Sequence, residues 1–279
     1  MLKSLYWRVN FWLKNKKSNR LQNSLGKDVK SIIVETKNGT FAVEPADLEV
    51  GAKLREKGEY GIDEIKRISQ FIDKNSTVLI VGAHIGSLAI PIAKTCSKVV
   101  AIEANPNNFK LLQTNVKLNN TSNLTLHNIA ASNKQEIIKF QLNTVNSGGS
   151  KRVPVTNHYM YTYDNPEVID VEAYALDTYL SNEDFDLVFI DIEGSEYFAM
   201  QGMADILGKT KSLIVEFLPH HITNVAGVKL ADFLGNIPGH LTKLTIPSKN
   251  KTYPIDIGIV TLEQMFESGQ GDDGIIFHN

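Results

Sequence analysis

The sequence predicts a doubly wound α/β domain whose parallel sheet is covered by helices on both faces. Two observations predict it. Short, continuous apolar runs recur as Val78-Leu79-Ile80-Val81, Val99-Val100-Ala101-Ile102, Leu187-Val188-Phe189-Ile190 and Leu213-Ile214-Val215. Most are separated by stretches of helical spacing, which is the pattern of strands buried on both sides. The chain has 279 residues, 42 % of them hydrophobic, which suffices for a full core.

Residues 1–20 read as a basic amphipathic helix. Leu2, Leu5, Tyr6, Val9, Trp12 and Leu13 recur at helical spacing, among Lys3, Arg8, Lys14, Lys16, Lys17 and Arg20. Two readings stay open for it: a peripheral membrane helix, or a helix packed on its own domain or a second subunit, which leaves room for a homodimer. Residues 31–43 read as a hairpin turning at Lys37-Asn38-Gly39. Residues 62–72 read as a helix through Ile62, Ile65, Ile68 and Ile72. The strand at 78–81 is followed by a helix over 87–94 and the strand at 99–102. Asn105 then caps a helix with Pro106 in its first turn and Phe109, Leu112 and Val116 inward. Leu124, Leu126 and Ile129 mark a third strand, and the runs at 187–190 and 213–215 a fourth and a fifth. Between the third and fourth lies a long insertion, about 136–180, with a polar tract from Asn143 to Arg152 and then Tyr159, Tyr161 and Tyr163. Long loops in compact domains are commonly functional. Near the end, Leu244-Thr245-Ile246 and Ile257 to Leu262 read as two further strands. The expected organisation is an extension over 1–60 and a main domain over 61–279.

Charge narrows the partners. The formal net charge is −2, without the basic footprint of a nucleic-acid binder. A small molecule or glycan suits it better. The lone Cys96 staples nothing, and no apolar stretch reaches membrane-spanning length. With no secretory signal pattern, the expectation is a cytoplasmic protein.

Chemistry concentrates after strands. Gly82-Ala83-His84-Ile85-Gly86 follows one strand and precedes a helix, where glycines let a ligand approach the backbone. Glu103 stands 21 residues after Gly82, at the next strand's end, placed to accept hydrogen bonds from ribose hydroxyls. His84 occupies the position where a dinucleotide fingerprint needs glycine against a pyrophosphate, so a cofactor without one fits better. His84 reads as a loop-packing residue. Asp191 and Glu193 share one side after the fourth strand, in the crevice where α/β sheets bind ligands. Glu196 reads as a first-turn acid of the following helix. Glu216 ends the fifth strand, and His220 or His221 beyond it is a candidate general base. No tight ligand spacing calls for a metal.

From Thr77 to about Phe217 the chain resembles the FkbM family of methyltransferases. The carrying residues are Val81 to Gly86, Glu103 with Asn105-Pro106, Asn128-Ile129-Ala130, Asp191-Ile192-Glu193-Gly194 and Glu216. The resemblance implies a class I methyltransferase fold, a Rossmann-like sheet of seven strands with the last reversed. It implies S-adenosylmethionine as cofactor and O-methylation of a sugar or natural-product hydroxyl. By residue match, Gly82, Ala83, His84 and Gly86 would hold the methionine part, and Glu103, Ala104 and Asn105 the ribose side. Asn128 and Ala130 would lie near the adenine, and Asp191 would serve both cofactor and catalysis, with Glu193, Glu216 and His220 as the other catalytic candidates. Three positions depart from the family pattern: Ile80 where it has an acid, His84 where it has asparagine, and Phe189 where it often has lysine. The alternatives are a chain that binds the cofactor without turnover, and a nicotinamide-dependent oxidoreductase on a similar sheet.

Overall fold

The computed structural model of the chain describes residues 2–143 and 145–279, and their side chains except those of residues 2–11 and 14. The elements run as follows. Helix α1 (Leu2–Leu25) leads to the hairpin β1 (Ile32–Thr36) and β2 (Gly39–Val43), then α2 (Val50–Lys57) and α3 (Ile62–Ser69). Next come β3 (Thr77–Val81), α4 (Ala89–Ala93), β4 (Lys98–Ile102), α5 (Pro106–Leu118), β5 (Leu124–His127) and β6 (Ala130–Ala131). Then follow β7 (Glu136–Leu142), β8 (Lys151–Arg152), β9 (Glu167–Tyr174), α6 (Leu176–Tyr179), β10 (Leu187–Ile190), α7 (Glu196–Gln201) and α8 (Ala204–Leu207). The chain closes through β11 (Ser212–Phe217), α9 (Pro219–His221), α10 (Leu230–Leu234), β12 (Lys243–Ile246), β13 (Lys251–Pro254), α11 (Ile255–Glu267) and β14 (Asp272–His278).

The main sheet has the order β13-β12-β14-β11-β10-β3-β4-β5. Strands β5, β4, β3, β10 and β11 are parallel, and β14 inserts antiparallel beside β11. The last strand is therefore reversed, and β13 brings the sheet to eight strands rather than seven. Because the chain leaves β3 towards β4 on one side and returns at β10 on the other, the switch point lies between β3 and β10. A crevice opens there at the carboxyl ends.

Alternation sorts the strand side chains into two cores. Leu79, Val81, Val188, Ile190 and Val215 face one side, under α7, α8, α10 and α11. Val78, Ile80, Leu187, Phe189 and Ile214 face the other, with Phe41 and Val43 of the hairpin and Val50 and Leu54 of α2 packed among them.

The expected strand at Ile257–Leu262 is instead part of α11. Gly258, Leu262 and Met265 are buried at spacings of four and three, while Ile257 and Val260 face solvent. Helical periodicity over thirteen residues outweighs a short β-branched run. The insertion is no plain loop: β7 pairs β9 along its whole length, completing a second sheet of order β6-β9-β7-β8. Its interior is Ile138, Phe140, Leu142, Val171 and Ala173. The reading of Leu2, Leu5, Tyr6, Val9, Lys3, Arg8 and Lys14 as helix faces falls on side chains outside the described ones, as does Thr144 of the polar tract. Among the described residues, no helix is long and apolar enough to cross a membrane.

Candidate active site

At the switch point the backbone itself is crowded. Gly82 has φ +95°, and a Cβ there would stand 1.8 Å from the Asp191 carbonyl oxygen. Only glycine lets β3 and β10 end this close together. Two residues on, His84 takes φ +51°, costly for a side-chain-bearing residue. That turn aims its N–H at Glu103 Oε2, 2.7 Å away, while the Asn105 N–H donates to Oε1, also at 2.7 Å. Burial pushes the Glu103 carboxyl up to about 7, against the pull of these two donors. Asn128 Nδ2 donates to the Glu103 carbonyl oxygen at 2.8 Å and so fixes the strand end. Asn105 caps α5, accepting from the N–H groups of Asn107 and Asn108.

A crevice of about 540 Å³ lies over this floor. Of the residues the sequence pointed to, Gly82, His84, Glu103, Ala104, Ala130 and Asp191 line it. Ala83, Gly86, Asn105 and Asn128 do not; Ala83 faces a neighbouring cavity, and Gly86 packs on Leu112. Ile102, Ile129, Ile138 and Phe140 add an apolar slot, suited to a flat base, and no lysine or arginine lines it. An acid at the strand end beside an apolar slot fits an adenosine. With no lysine or arginine among the lining residues, nothing in the crevice would pair with a pyrophosphate.

The crevice is roofed by the 3₁₀ turn Ser147–Gly149 of the insertion. Ser147 Oγ donates to Asp47 Oδ2 at 2.6 Å, and the Ser147 N–H donates to the same oxygen at 3.1 Å. His84 Nε2 lies 2.8 Å from Ser147 Oγ. Burial pulls the His84 imidazole down to about 4, so it is neutral at pH 7 and its Nε2–H donates to the hydroxyl. Asn108 Nδ2 holds the Ser147 carbonyl at 3.0 Å. Asp47 carried no sequence signal, and Ser147 stood out only as part of the polar tract; their partners are far away in the chain.

A second cavity, of about 1010 Å³, is lined by Tyr159, Tyr161, Tyr163, His158, His220 and Lys151, with Glu193 and His221 at its inner end. Glu193 has φ +57° and Gly194 φ +103°. A Cβ on Gly194 would meet Val225 Cβ at 2.5 Å. Glu196 Oε1 ties this turn by accepting from the N–H groups of Ile192 at 2.9 Å and Gly194 at 3.1 Å. Glu193 thus borders both the second cavity and the acid-lined pocket beside Gly82 and Asp191.

Behind Glu193 runs a row of polar side chains. Lys151 Nζ stands 2.9 Å from Glu193 Oε2, His221 Nε2 3.5 Å from the same oxygen, and His221 Nδ1 3.1 Å from Glu216 Oε2. Burial drives the His221 imidazole down to about 2, helped by Lys151 and His220. Burial raises the Glu216 carboxyl well above its ordinary value, helped by Asp191 and Glu193. Glu216 and His221 are therefore a neutral pair. His221 Nδ1 shares a hydrogen bond with Glu216 Oε2, and Nε2 faces Glu193. Glu193, Glu216 and His221 bring possible metal-ligand atoms within 4.8 Å of one another. The imidazole, however, gives one nitrogen to each carboxylate, a row rather than donors around one point. His220, expected as base, stacks on Tyr161 instead, and its carbonyl accepts from the Tyr161 hydroxyl at 3.1 Å.

Residues 81–243, more than half the chain, match the methyltransferase FkbM domain. The chain belongs to the FkbM methyltransferase family. Solved structures similar to it include methyltransferase FkbM from Methylobacillus flagellatus KT, at 17 % identity over 74 % of this chain and 44 % of that one, TM-score 0.43. M. jannaschii TYW2 in complex with AdoMet matches at 18 % identity over 67 % and 62 %, TM-score 0.37. Trm5b from Pyrococcus abyssi matches at 13 % over 76 % and 47 %, TM-score 0.41. The matched region thus spans less than two thirds of each of these chains. No curated protein matches the sequence.

Two of the departures from the FkbM pattern explain one another. Ile80 and Phe189 are register partners across β3 and β10, both in the same core and both 1 % exposed. An acid and a lysine at these positions would face each other; here an apolar pair takes the place of both charges. Neither position leaves a lone buried charge, which would be the costly outcome.

Proposed function

We propose that this FkbM-family protein transfers a methyl group from S-adenosylmethionine to a hydroxyl of a small-molecule or glycan acceptor. The position of Glu193 carries the reading: it lines both the tyrosine-lined cavity and a pocket that shares Gly82, His84, Gly148 and Asp191 with the crevice. The crevice residues fit the cofactor. Glu103 would take the ribose hydroxyls, the slot of Ile102, Ile129 and Phe140 the base, and Gly82 and Asp191 the methionine end. When bound, S-adenosylmethionine supplies a methyl group already activated on a sulfonium.

What remains for the protein is aim and proton removal. The acceptor lies on the tyrosines with its hydroxyl towards Glu193. As the new C–O bond forms and the C–S bond breaks, the hydroxyl proton passes to the Glu193 carboxylate. Lys151 holds that carboxylate in place, with His221 Nε2 beside it. The strained φ of Glu193 belongs to this aim, since a relaxed backbone would turn the side chain away from the junction.

Calorimetric titration with S-adenosylmethionine tests the first half. Wild type should bind, and Glu103→Ala should bind about 10- to 100-fold more weakly through loss of charged hydrogen bonds. Absence of wild-type binding would refute the assignment. Turnover on a panel of glycosides and phenols tests the second half. Glu193→Gln should keep cofactor affinity and lose about 10²- to 10⁴-fold in kcat. An unchanged kcat would remove Glu193 from the chemistry.

A further inference from the structure

Helix α1 turns one face to the domain and leaves another in solvent. Its second half is fastened where Ser18 Oγ donates to the carbonyls of Pro45 and Ala46, at 3.1 and 2.7 Å, and where Lys17 pairs with Glu56 at 2.7 Å. Ser18 is buried there. Positions 2, 5, 6, 9, 12 and 13 all lie about 120° or more around the helix from Ser18 at 3.6 residues per turn. Those positions are Leu2, Leu5, Tyr6, Val9, Trp12 and Leu13. Of these, Trp12 is 56 % exposed, and Leu13, at the rim of a groove against α2, is 51 % exposed.

The face continues into charge. Lys16 lies over the Trp12 ring at 4.8 Å, and Arg20 follows about one turn on, in a helix that holds no acidic residue. We propose that this face of α1 docks on an anionic phospholipid surface. Trp12 and Leu13 enter the headgroup boundary, and Lys16 and Arg20 on the same side of the helix meet the lipid phosphates. Two copies packed face to face would instead bring their basic flanks together with no acid of either helix to answer them. A nucleic acid would pair with the cations but leave Leu13 in water.

Flotation of the full chain with vesicles tests this. Equimolar phosphatidylglycerol and phosphatidylcholine should carry the protein upward at about 0.1 M salt, and phosphatidylcholine alone should not. Each cation removed should lower partitioning on the order of 5-fold, so Lys16→Gln and Arg20→Gln together should lower it on the order of 25-fold. Trp12→Ala with Leu13→Ser should abolish flotation. Because these side chains are exposed, the melting temperature of each variant should match wild type. Failure to float with anionic vesicles overturns the proposal, as does flotation that the variants leave intact. A dimer that Trp12→Ala dissolves, without flotation, would assign the face to a second copy. Binding of an RNA oligonucleotide without flotation would assign it to nucleic acid.

Discussion

Gly82 concentrates the argument for the crevice in one missing methyl group. Alanine there would have to move the Asp191 carbonyl and also adopt φ +95°. Overpacking and backbone strain together should cost about 3 kcal/mol, readable as a shifted denaturation midpoint. A variant as stable as wild type would mean that β10 gives way freely. Glu103 makes a prediction in pH. Its carboxyl titrates near 4.5 when unfolded and about 7 in the fold. Between these values the folded protein holds a proton that the unfolded chain has lost, so stability from this group is present at low pH and lost as pH rises through 7. Glutamine does not titrate. The melting temperature of Glu103→Gln, measured against wild type, should therefore climb between about pH 5 and about pH 8, worth at most about 3 kcal/mol. A flat difference would show that the carboxyl is not so desolvated. Glu103 and Asp191 were legible in the sequence because they end strands, and strand ends are easy to locate. His221 was not separable from His220: adjacent residues look alike in sequence, and only the turn after β11 decides which ring meets Glu216.

The elements that sequence patterns located best are those with one dominant period. Strands β3, β4, β10 and β11 and helix α5 stand within a residue or two of their expected positions. The second sheet was missed although β7 alternates inward at Ile138, Phe140 and Leu142. Exposed Ile137 and Val168 on its outer face blur that alternation. Lys151 was overlooked with it, since a lysine in a polar tract signals nothing until β8 carries it to Glu193. The 3₁₀ roof at Ser147–Gly149 joins three separate elements, which gives it a testable mobility. Ser147→Ala removes the hydroxyl that joins Asp47 to His84 and leaves His84 Nε2 buried without that partner. The expected cost is about 1–3 kcal/mol. Amide exchange in residues 145–149 should quicken, and S-adenosylmethionine should both enter and leave faster. Unchanged exchange would mean that Asn108 and the backbone hold the roof unaided.

Where the folding unit begins is a question for the molecule as a whole. The extension over residues 1–60 contains parts of different standing. Helix α1 is fastened through few groups, chiefly Ser18 and Lys17, and donates no side chain to either main core among the described residues. The hairpin and α2 are different: Phe41, Val43, Val50 and Leu54 are nearly inaccessible and pack with Val78 and Ile80. Asn115 of α5 holds both the N–H and the carbonyl of Ala42, and Asp47 reaches the roof of the crevice. Removing residues 1–25 should therefore leave a cooperative domain that melts within a few degrees of wild type and still binds S-adenosylmethionine, while vesicle flotation disappears. Removing residues 1–60 should do far more. It exposes the face of Ile80 and Phe189, and losing each buried Phe or Leu alone is worth about 2–5 kcal/mol. Several such losses exceed the roughly 5–15 kcal/mol that holds a domain folded. The shorter chain should be insoluble or lack a cooperative transition in calorimetry. If it melted cooperatively and bound the cofactor, the hairpin would be an accessory, and the second core would close without it.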